Sequence, residues 1–141
     1  MFFNISLNTG KTELLRAVTE GVCYHLRWMI ECQDKKVKTS DTIRFCGGGA
    51  LSDVTLQILA DITGRVIEVV DSPQNSGSLG AAIISGVGVG EISDIEEAAE
   101  MILAVKTFRP DDTYKKVYDR NFKVFKRLYS SNSVNFSRMN K

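Results

Sequence analysis

Three consecutive glycines constrain this sequence more than any other feature. Gly47, Gly48 and Gly49 stand between the short apolar run at residues 42–46 and the start of a helix near Ser52. Glycine inside an ordered element is entropically unfavourable, so three in a row indicate a backbone that turns sharply or is approached closely. The run before them is β-branched and predicts a strand, and the helix after them is predicted to stop at Gly64.

The glycines themselves leave two interpretations open. Their backbone amides can approach a ligand, and the dipole of the following helix favours an anionic group there, so a nucleotide would fit. Alternatively, they only let the chain turn tightly between layers. The dinucleotide pattern GxGxxG is absent. On the following helix, Asp53 lies in the first turn and could face a ribose or an adenine edge, whereas Asp61 is predicted to be solvated.

Helices and strands alternate along the chain. The spacing of apolar residues from Thr12 to Cys32 predicts a long helix with one buried stripe. A second strand is predicted at residues 65–70. A small-residue helix follows, pressed closely against its neighbours and broken by three glycines, and Ser93 with Glu96 then forms a predicted capping box for a helix that runs through Leu103. The stripe residues are Leu15, Val18, Val22, Leu26 and Met29, and the breaking glycines are Gly86, Gly88 and Gly90.

This order predicts an α/β fold in which short parallel strands are covered by helices. Two strands alone make a poor sheet with unpaired edges, so we expect a fragment or a partner. Met1 followed at once by Phe2 and Phe3 fits a chain whose preceding strands are missing. Self-association through exposed edges is a further expectation.

The composition is that of one ordinary globular domain. The chain has 141 residues, 43% of them hydrophobic, and a formal net charge of +1, which gives no global attraction to nucleic acid or acidic membranes. We expect a domain at residues 1–130 and a polar, disordered tail at 131–141. No segment reads as a secretory signal or a membrane span, so the protein is expected in the cytoplasm.

Other candidate sites are weaker. Cys23, Cys32 and Cys46 match neither a metal motif nor a disulfide framework, and His25 is the only histidine, so we expect reduced, mostly buried thiols and no metal. Residues 8–12, NTGKT, end like a phosphate-binding loop but lack its first glycine, which favours a plain helix start capped by Thr9 or Thr12.

The last predicted helix carries six basic residues interleaved with aromatic ones. Because those aromatic residues fall at core spacing, a solvated basic face is favoured over a nucleic-acid surface. The basic residues are Lys115, Lys116, Arg120, Lys123, Lys126 and Arg127.

The stretch GGGALSDVTLQILADITG, together with SGSLGAAIISGVGVG and LLRAVTEGVCYHLR, resembles the C-terminal lobe of the FGGY carbohydrate kinases, most closely the xylulose kinase branch. The resemblance covers residues 2 to about 129. It implies part of an actin-like ATPase lobe of the ribonuclease H type. It also implies that Gly47, Gly48 and Gly49 form the turn against which adenosine packs, with Ser52 and Asp53 at the rim of the adenine pocket.

The resemblance also implies what lies elsewhere. In that family the catalytic aspartate, the sugar site and the phosphate loops precede the part that matches this chain, and Asn75 stands where the family often has glutamate. We therefore expect the C-terminal, nucleotide-binding part of a kinase that transfers a phosphoryl group from ATP, with Mg²⁺, to a pentulose such as xylulose. Alone, the chain is expected to be inactive. The alternative is a stand-alone interaction or regulatory module derived from the lobe.

Overall fold

The computed structural model describes residues 1–140, apart from the side chains of residues 99–101. Eight regular elements follow one another, and two short 3₁₀ turns, Gly48–Leu51 and Pro73–Asn75, each precede a helix. The elements are α1 (Lys11–Asp34), β1 (Thr42–Phe45), α2 (Asp53–Thr63), β2 (Val66–Val70), α3 (Ser76–Val89), α4 (Ile95–Met101), β3 (Ala104–Phe108) and α5 (Asp112–Met139).

The sheet has the order β1-β2-β3. β1 and β2 are parallel, as predicted, with Thr42 opposite Val66. β3 is antiparallel to β2 and places Lys106 opposite Val69. The sequence prediction missed this strand and continued the preceding helix through Leu103. α4 ends at Met101 instead, because the chain that follows satisfies the backbone groups on the second edge of β2.

The chain divides into two compact units. The helical unit comprises Met1–Thr39, Asp61–Gly64 and Pro110–Lys141, and the sheet unit comprises Ser40–Ala60 and Arg65–Arg109. In the sheet unit the core is built from α2 and β2, where Leu56 and Ile67 are 0% exposed.

The core of the helical unit is aromatic. Tyr24 of α1 lies with its ring centroid 6.0 Å from that of Phe122 and 6.3 Å from that of Tyr118, and all three residues are buried. Cys23 beside them is 1% exposed. The predicted stripe on α1 is therefore wrong within this chain, because the rings of α5 cover a neighbouring face. Four stripe residues are at least half exposed: Leu15 61%, Val18 52%, Val22 58% and Met29 50%.

Arg27 joins the parts of the helical unit. Its Nη1 donates to the carbonyl of Ile62 at 2.9 Å, and its Nη2 lies 2.7 Å from Oδ1 of Asp119. Its guanidinium carbon lies 4.4 Å from the ring centroid of Phe122, and its Nε lies 3.6 Å from Oε1 of Glu31. One side chain thus satisfies a carbonyl near the end of α2 and pairs with both long helices.

Asp61 is buried, with 8% of the residue exposed, which corrects the prediction of a solvated carboxylate. Its Oδ1 accepts the backbone N–H of Asp111 at 2.9 Å. Asp111 in turn accepts the backbone N–H of Thr113 and caps α5. Hydrogen bonding to the side chain and the backbone of Thr113 lowers the pKa of Asp111. The carboxylate of Asp61 therefore has a structural role at the start of the last helix.

Several predicted helix ends are corrected. α1 begins at Lys11, where Glu13 accepts the backbone N–H of Gly10 at 3.1 Å, so neither Thr9 nor Thr12 is the cap. At α4 the cap is Asp94, which accepts the N–H of Glu97 at 2.8 Å. The partner of Ser93 is accordingly Glu97, one position beyond the predicted Glu96.

α3 does not break at its internal glycines. It runs through Gly86 and Gly88 and ends before Gly90, whose φ of +82° forms the left-handed cap. A Cβ on Gly86 would lie 2.8 Å from Cδ1 of Ile92, so this glycine admits the loop that follows the helix. No residue of α3 is buried, which corrects the prediction of a closely packed helix.

α5 is helical over residues 131–139, the stretch for which the sequence predicts a polar, disordered tail. The side chains there are largely exposed. Phe136 is the aromatic contact of this stretch, with its ring centroid 6.0 Å from that of Tyr129. Among residues 1–140, no helix is both long and apolar enough to cross a bilayer.

Candidate functional site

Gly47 opens the turn at the end of β1. Its φ is +87°, a conformation that residues with a side chain rarely adopt. Its N–H donates to the carbonyl of Pro73 at 2.8 Å, and its own carbonyl accepts the N–H of Ala50 at 3.1 Å. Gly47 is therefore required by the backbone, and its amide is already used within the chain.

Gly48 and Gly49 differ from it. A Cβ built on Gly48 meets nothing within 4 Å, and Gly48 is exposed. A Cβ on Gly49 would lie 3.3 Å from Cε1 of Phe45, so that glycine makes room for a ring of β1. Of the three glycines in the turn, Gly48 is therefore the one for which neither the backbone conformation nor a neighbour within the chain calls for glycine.

Ser52 precedes α2 with extended backbone angles, φ −108° and ψ 105°. Its Oγ accepts the Thr55 N–H at 3.3 Å and lies 3.0 Å from the Thr55 hydroxyl, which donates to it. Ser52 is therefore the cap of α2 and holds the start of the helix beside the glycine turn. No role for Thr55 was predicted from the sequence.

Asp53 forms an ion pair that the sequence did not predict. Its Oδ1 accepts a hydrogen bond from Nζ of Lys106 at 2.8 Å, and the side chains are 59% and 53% exposed. Lys106 lies on β3, the strand that the prediction missed, so no signal pointed to it. The five predicted site residues, Gly47, Gly48, Gly49, Ser52 and Asp53, lie together between the end of β1 and the first turn of α2.

The loop after β2 supports the glycine turn. Because β1 and β2 are parallel, their carboxyl ends meet at one edge of the sheet, which is where ligands of open α/β sheets bind. In this loop Ser72 has a positive φ of +45°, and its carbonyl accepts the N–H of Asn75 at 2.9 Å. The hydroxyl of Ser76 donates to the carbonyl of Pro73 at 2.7 Å. The carbonyl that receives the Gly47 amide is thereby held in place.

Each of the two compact units contains a cavity. The first, of about 710 Å³, belongs to the helical unit and is lined mainly by apolar side chains that include Trp28 and Phe125. The second, of about 530 Å³, belongs to the sheet unit and is lined by residues that include Ser72 and Leu79. Neither lining contains any of the five predicted site residues, but the second cavity is lined in part by Ser72 and Asn75 of the loop that supports the glycine turn.

The three cysteines differ in their surroundings. No group of three or more His, Cys, Asp or Glu side chains in the described part of the chain could hold a metal ion. All three cysteines are free, but Cys32 and Cys46 are exposed, which corrects the expectation of mostly buried thiols. Burial raises the pKa of Cys23 to about 11, with a further contribution from Glu20, so that thiol stays protonated.

The basic face of α5 is smaller than predicted. Lys126 is half-buried and turns inward, with its Nζ 3.0 Å from Oε2 of Glu31 and 4.4 Å from the ring centroid of Phe122. The other five basic residues of the predicted face are exposed. The described α5 therefore combines an internal cation–π contact with a solvated basic face.

Comparison with known proteins shows which family of proteins this chain is similar to. The C-terminal domain of the FGGY family of carbohydrate kinases matches residues 1–89. A xylulose kinase of Staphylococcus epidermidis is 31% identical over 129 residues, which are 91% of this chain and 26% of that protein. A gluconokinase of Bacillus licheniformis is 31% identical over 128 residues, covering 88% of this chain and 24% of that protein.

Among solved structures, the xylulose kinase of Rhodospirillum rubrum superposes with a TM-score of 0.83 and 26% identity. The match covers 97% of this chain and 28% of that one. This chain therefore spans about a quarter of the length of the relatives it matches. The predicted fold class, an α/β part of an actin-like ATPase lobe, is confirmed by these matches.

Proposed function

Because the chain belongs to the FGGY family of carbohydrate kinases, we propose that it is the C-terminal, nucleotide-binding part of an ATP-dependent sugar kinase. The complete enzyme would transfer the γ-phosphoryl group of ATP to a hydroxyl of a pentulose such as xylulose. The xylulose kinase and the gluconokinase are equally similar to this chain, each at 31% identity, so these values do not distinguish between their sugars. The pentulose is proposed from the sequence resemblance to the xylulose kinase branch, not from a contact with a sugar.

The observation that carries the proposal is the space above Gly48. A glycine that needs no special backbone angle and faces no neighbour within the chain is suited to close approach by a flat group such as an adenine ring or a ribose. Gly47 sets the turn and Gly49 fits over Phe45. ATP or ADP would be held at this turn by Gly47, Gly48 and Gly49, with Ser52 and Asp53 at the rim.

ATP supplies the phosphoryl group that is transferred, and this chain's residues contribute only its placement. Phosphoryl transfer also requires charge stabilisation at the phosphates and a base for the attacking hydroxyl. Mg²⁺ is expected for the complete enzyme, and among the described residues no group of three or more His, Cys, Asp or Glu side chains could hold a metal ion. Because the resemblance implies that the catalytic aspartate, the sugar site and the phosphate loops precede the matched part, we place the base and the sugar outside this chain and infer that the chain alone is inactive.

The proposal is tested by titrating magnesium-ATP into isotope-labelled protein and following the amide signals of Gly48, Gly49 and Asp53. We expect saturable shifts confined to the glycine turn and the first turn of α2, with a dissociation constant of about 1 mM. Gly48→Val is the matched variant, because it fills the open space and should abolish the shifts. The absence of saturable shifts in a folded chain, or unaltered binding by Gly48→Val, would contradict the proposal.

A second candidate is a stand-alone interaction or regulatory module derived from the same lobe. The observation that favours it is the exposed part of the apolar stripe on α1, which is suited to contact with another protein. This part consists of Leu15, Val18, Val22 and Met29. The reading frame upstream of Met1 separates the two candidates. A frame that continues through the remaining lobe supports the kinase, and a start codon without such a frame supports the module. Either protein is proposed to act in the cytoplasm.

A further inference from the structure

The ion pair between Asp53 and Lys106 joins two elements that meet beside the proposed nucleotide site. Asp53 is the first residue of α2, and Lys106 lies on β3, opposite Val69 of β2. Resting on the proposed function, we propose that Lys106 is a positioning residue for the nucleotide. Lys106 holds the Asp53 carboxylate in one orientation, so that the carboxylate can accept a hydrogen bond from a hydroxyl group of the nucleoside. Lys106 also neutralises the charge of this carboxylate, which reduces its repulsion of the phosphates.

The geometry supports an orienting role. The hydrogen bond of 2.8 Å involves Oδ1 of Asp53, and a carboxylate has a second oxygen with which to accept from a ligand. Lys106 is carried by a paired strand rather than by a loop, and its partner in register, Val69, directly precedes the last residue of β2. The strand pairing therefore fixes the backbone from which the ammonium group reaches Asp53.

The charges support the second half of the role. A free carboxylate beside the turn would repel an anionic nucleotide, and it would repel uncharged adenosine much less. Pairing with the ammonium group of Lys106 cancels most of the carboxylate's charge, and so removes most of the difference in repulsion between the nucleotide and adenosine. Because both side chains are more than half exposed, the pair contributes little to folding stability, and its effect should appear mainly in ligand discrimination.

The experiment measures dissociation constants of adenosine and of ADP for the full chain by amide shift titration at low ionic strength. In Lys106→Met we expect the ADP constant to rise about two- to fivefold and the adenosine constant to rise by less, because only the orientation of Asp53 is lost for the uncharged ligand. Lys106→Arg, which keeps the charge, should restore ADP binding. The double variant Asp53→Asn, Lys106→Met removes the unpaired carboxylate and should bring the ratio of the two constants back toward that of the unaltered chain.

The control is Lys115→Met, which lowers the net charge equally but lies on the exposed face of α5 in the helical unit. It should leave both constants unchanged. Equal loss of adenosine and ADP binding in Lys106→Met would indicate a merely structural role and overturn the inference. Two constants that both stay the same as in the unaltered chain would also overturn it. Failure of the unaltered chain to bind either ligand would instead overturn the proposed function, and this inference with it.

Discussion

Within each of the two units, a different part of the chain makes the stabilising contacts. In the helical unit, side chains make the decisive contacts: the guanidinium of Arg27 reaches a carbonyl, two carboxylates and a ring. At the glycine turn of the sheet unit, the backbone makes them, as in the bond from Gly47 to Pro73. Substitutions in the first region should therefore act on folding, whereas substitutions at the turn can separate folding from ligand binding.

Arg27→Met should have the largest effect on stability. It leaves the carbonyl of Ile62 and the carboxylate of Asp119 without their partner, and Arg27 has a side chain only 21% exposed. We expect the unfolding free energy of the helical unit to fall by about 2–3 kcal/mol. Urea unfolding followed by the fluorescence of Trp28, the single tryptophan, measures it. Arg120→Met on the exposed face is the control, and an equal loss there would contradict the assigned role of Arg27.

The glycine turn offers a sharper test, since adjacent glycines have different roles. Gly47→Ala forces a side chain into a positive φ and should destabilise the sheet unit by about 1–2 kcal/mol. Gly48→Ala meets open space and should cost less than about 0.5 kcal/mol. Amide exchange of β1 and β2 measures both. Equal costs at the two positions would remove the distinction between a glycine required by the backbone and one left open for a ligand.

The cap of α5 should respond to pH. Hydrogen bonds from the side chain and from the backbone N–H of Thr113 lower the pKa of Asp111 below its ordinary value of 3.8, so the folded state favours the carboxylate. This contribution is present above the unfolded pKa and is lost as the pH falls through the folded one. We expect Asp111→Ala to reduce stability at neutral pH, by less than Arg27→Met, and to reduce its decline in acid. Asp112→Ala, in the same first turn, is the control, and an identical acid profile in both variants would argue against the cap.

The smallest effect is expected from the last turns of α5. Residues 131–139 are helical but largely exposed, which gives them few contacts to lose. Ending the chain after residue 130 should leave the fluorescence-detected unfolding free energy within about 0.5 kcal/mol of the full chain. In the full chain, amide protection should drop beyond Tyr129. A larger loss of stability would show that this stretch belongs to the domain, and would remove the proposed boundary at residue 130.

The sequence predicted the parts of the fold that local rules decide. The stop of α2 at Gly64 and the position of the glycine turn follow from patterns within a few residues, and the parallel pairing of β1 and β2 follows from the alternation of strands and helices. β3 was missed because its pairing with β2 is a long-range interaction, and because Ile102 and Leu103 directly before it continue the apolar spacing of α4. Lys106 was missed for the same reason, since nothing local connects it with Asp53.

Burial was harder to predict than secondary structure. Periodicity shows that α1 has an apolar face, but the rings of α5 decide which face is covered, and they select Tyr24 over the stripe that includes Val22. Asp61 is the opposite case, because a carboxylate that was predicted to be exposed is buried. Its burial depends on the Asp111 amide, which is 50 positions away in sequence. Such choices rest on tertiary packing and leave little trace in local spacing.

The exposed stripe on α1 has a consequence for how this sequence tolerates change. In the described chain, Leu15 and Val22 face water, so replacing them with glutamine should not weaken the fold and should improve solubility. In a lineage in which this face of α1 is always exposed to solvent, such replacements would accumulate. Aliphatic residues at these positions would persist in a lineage where another surface regularly excludes water from them. The substitution pattern of α1 across generations is thus a record of whether the helix is covered in the cell.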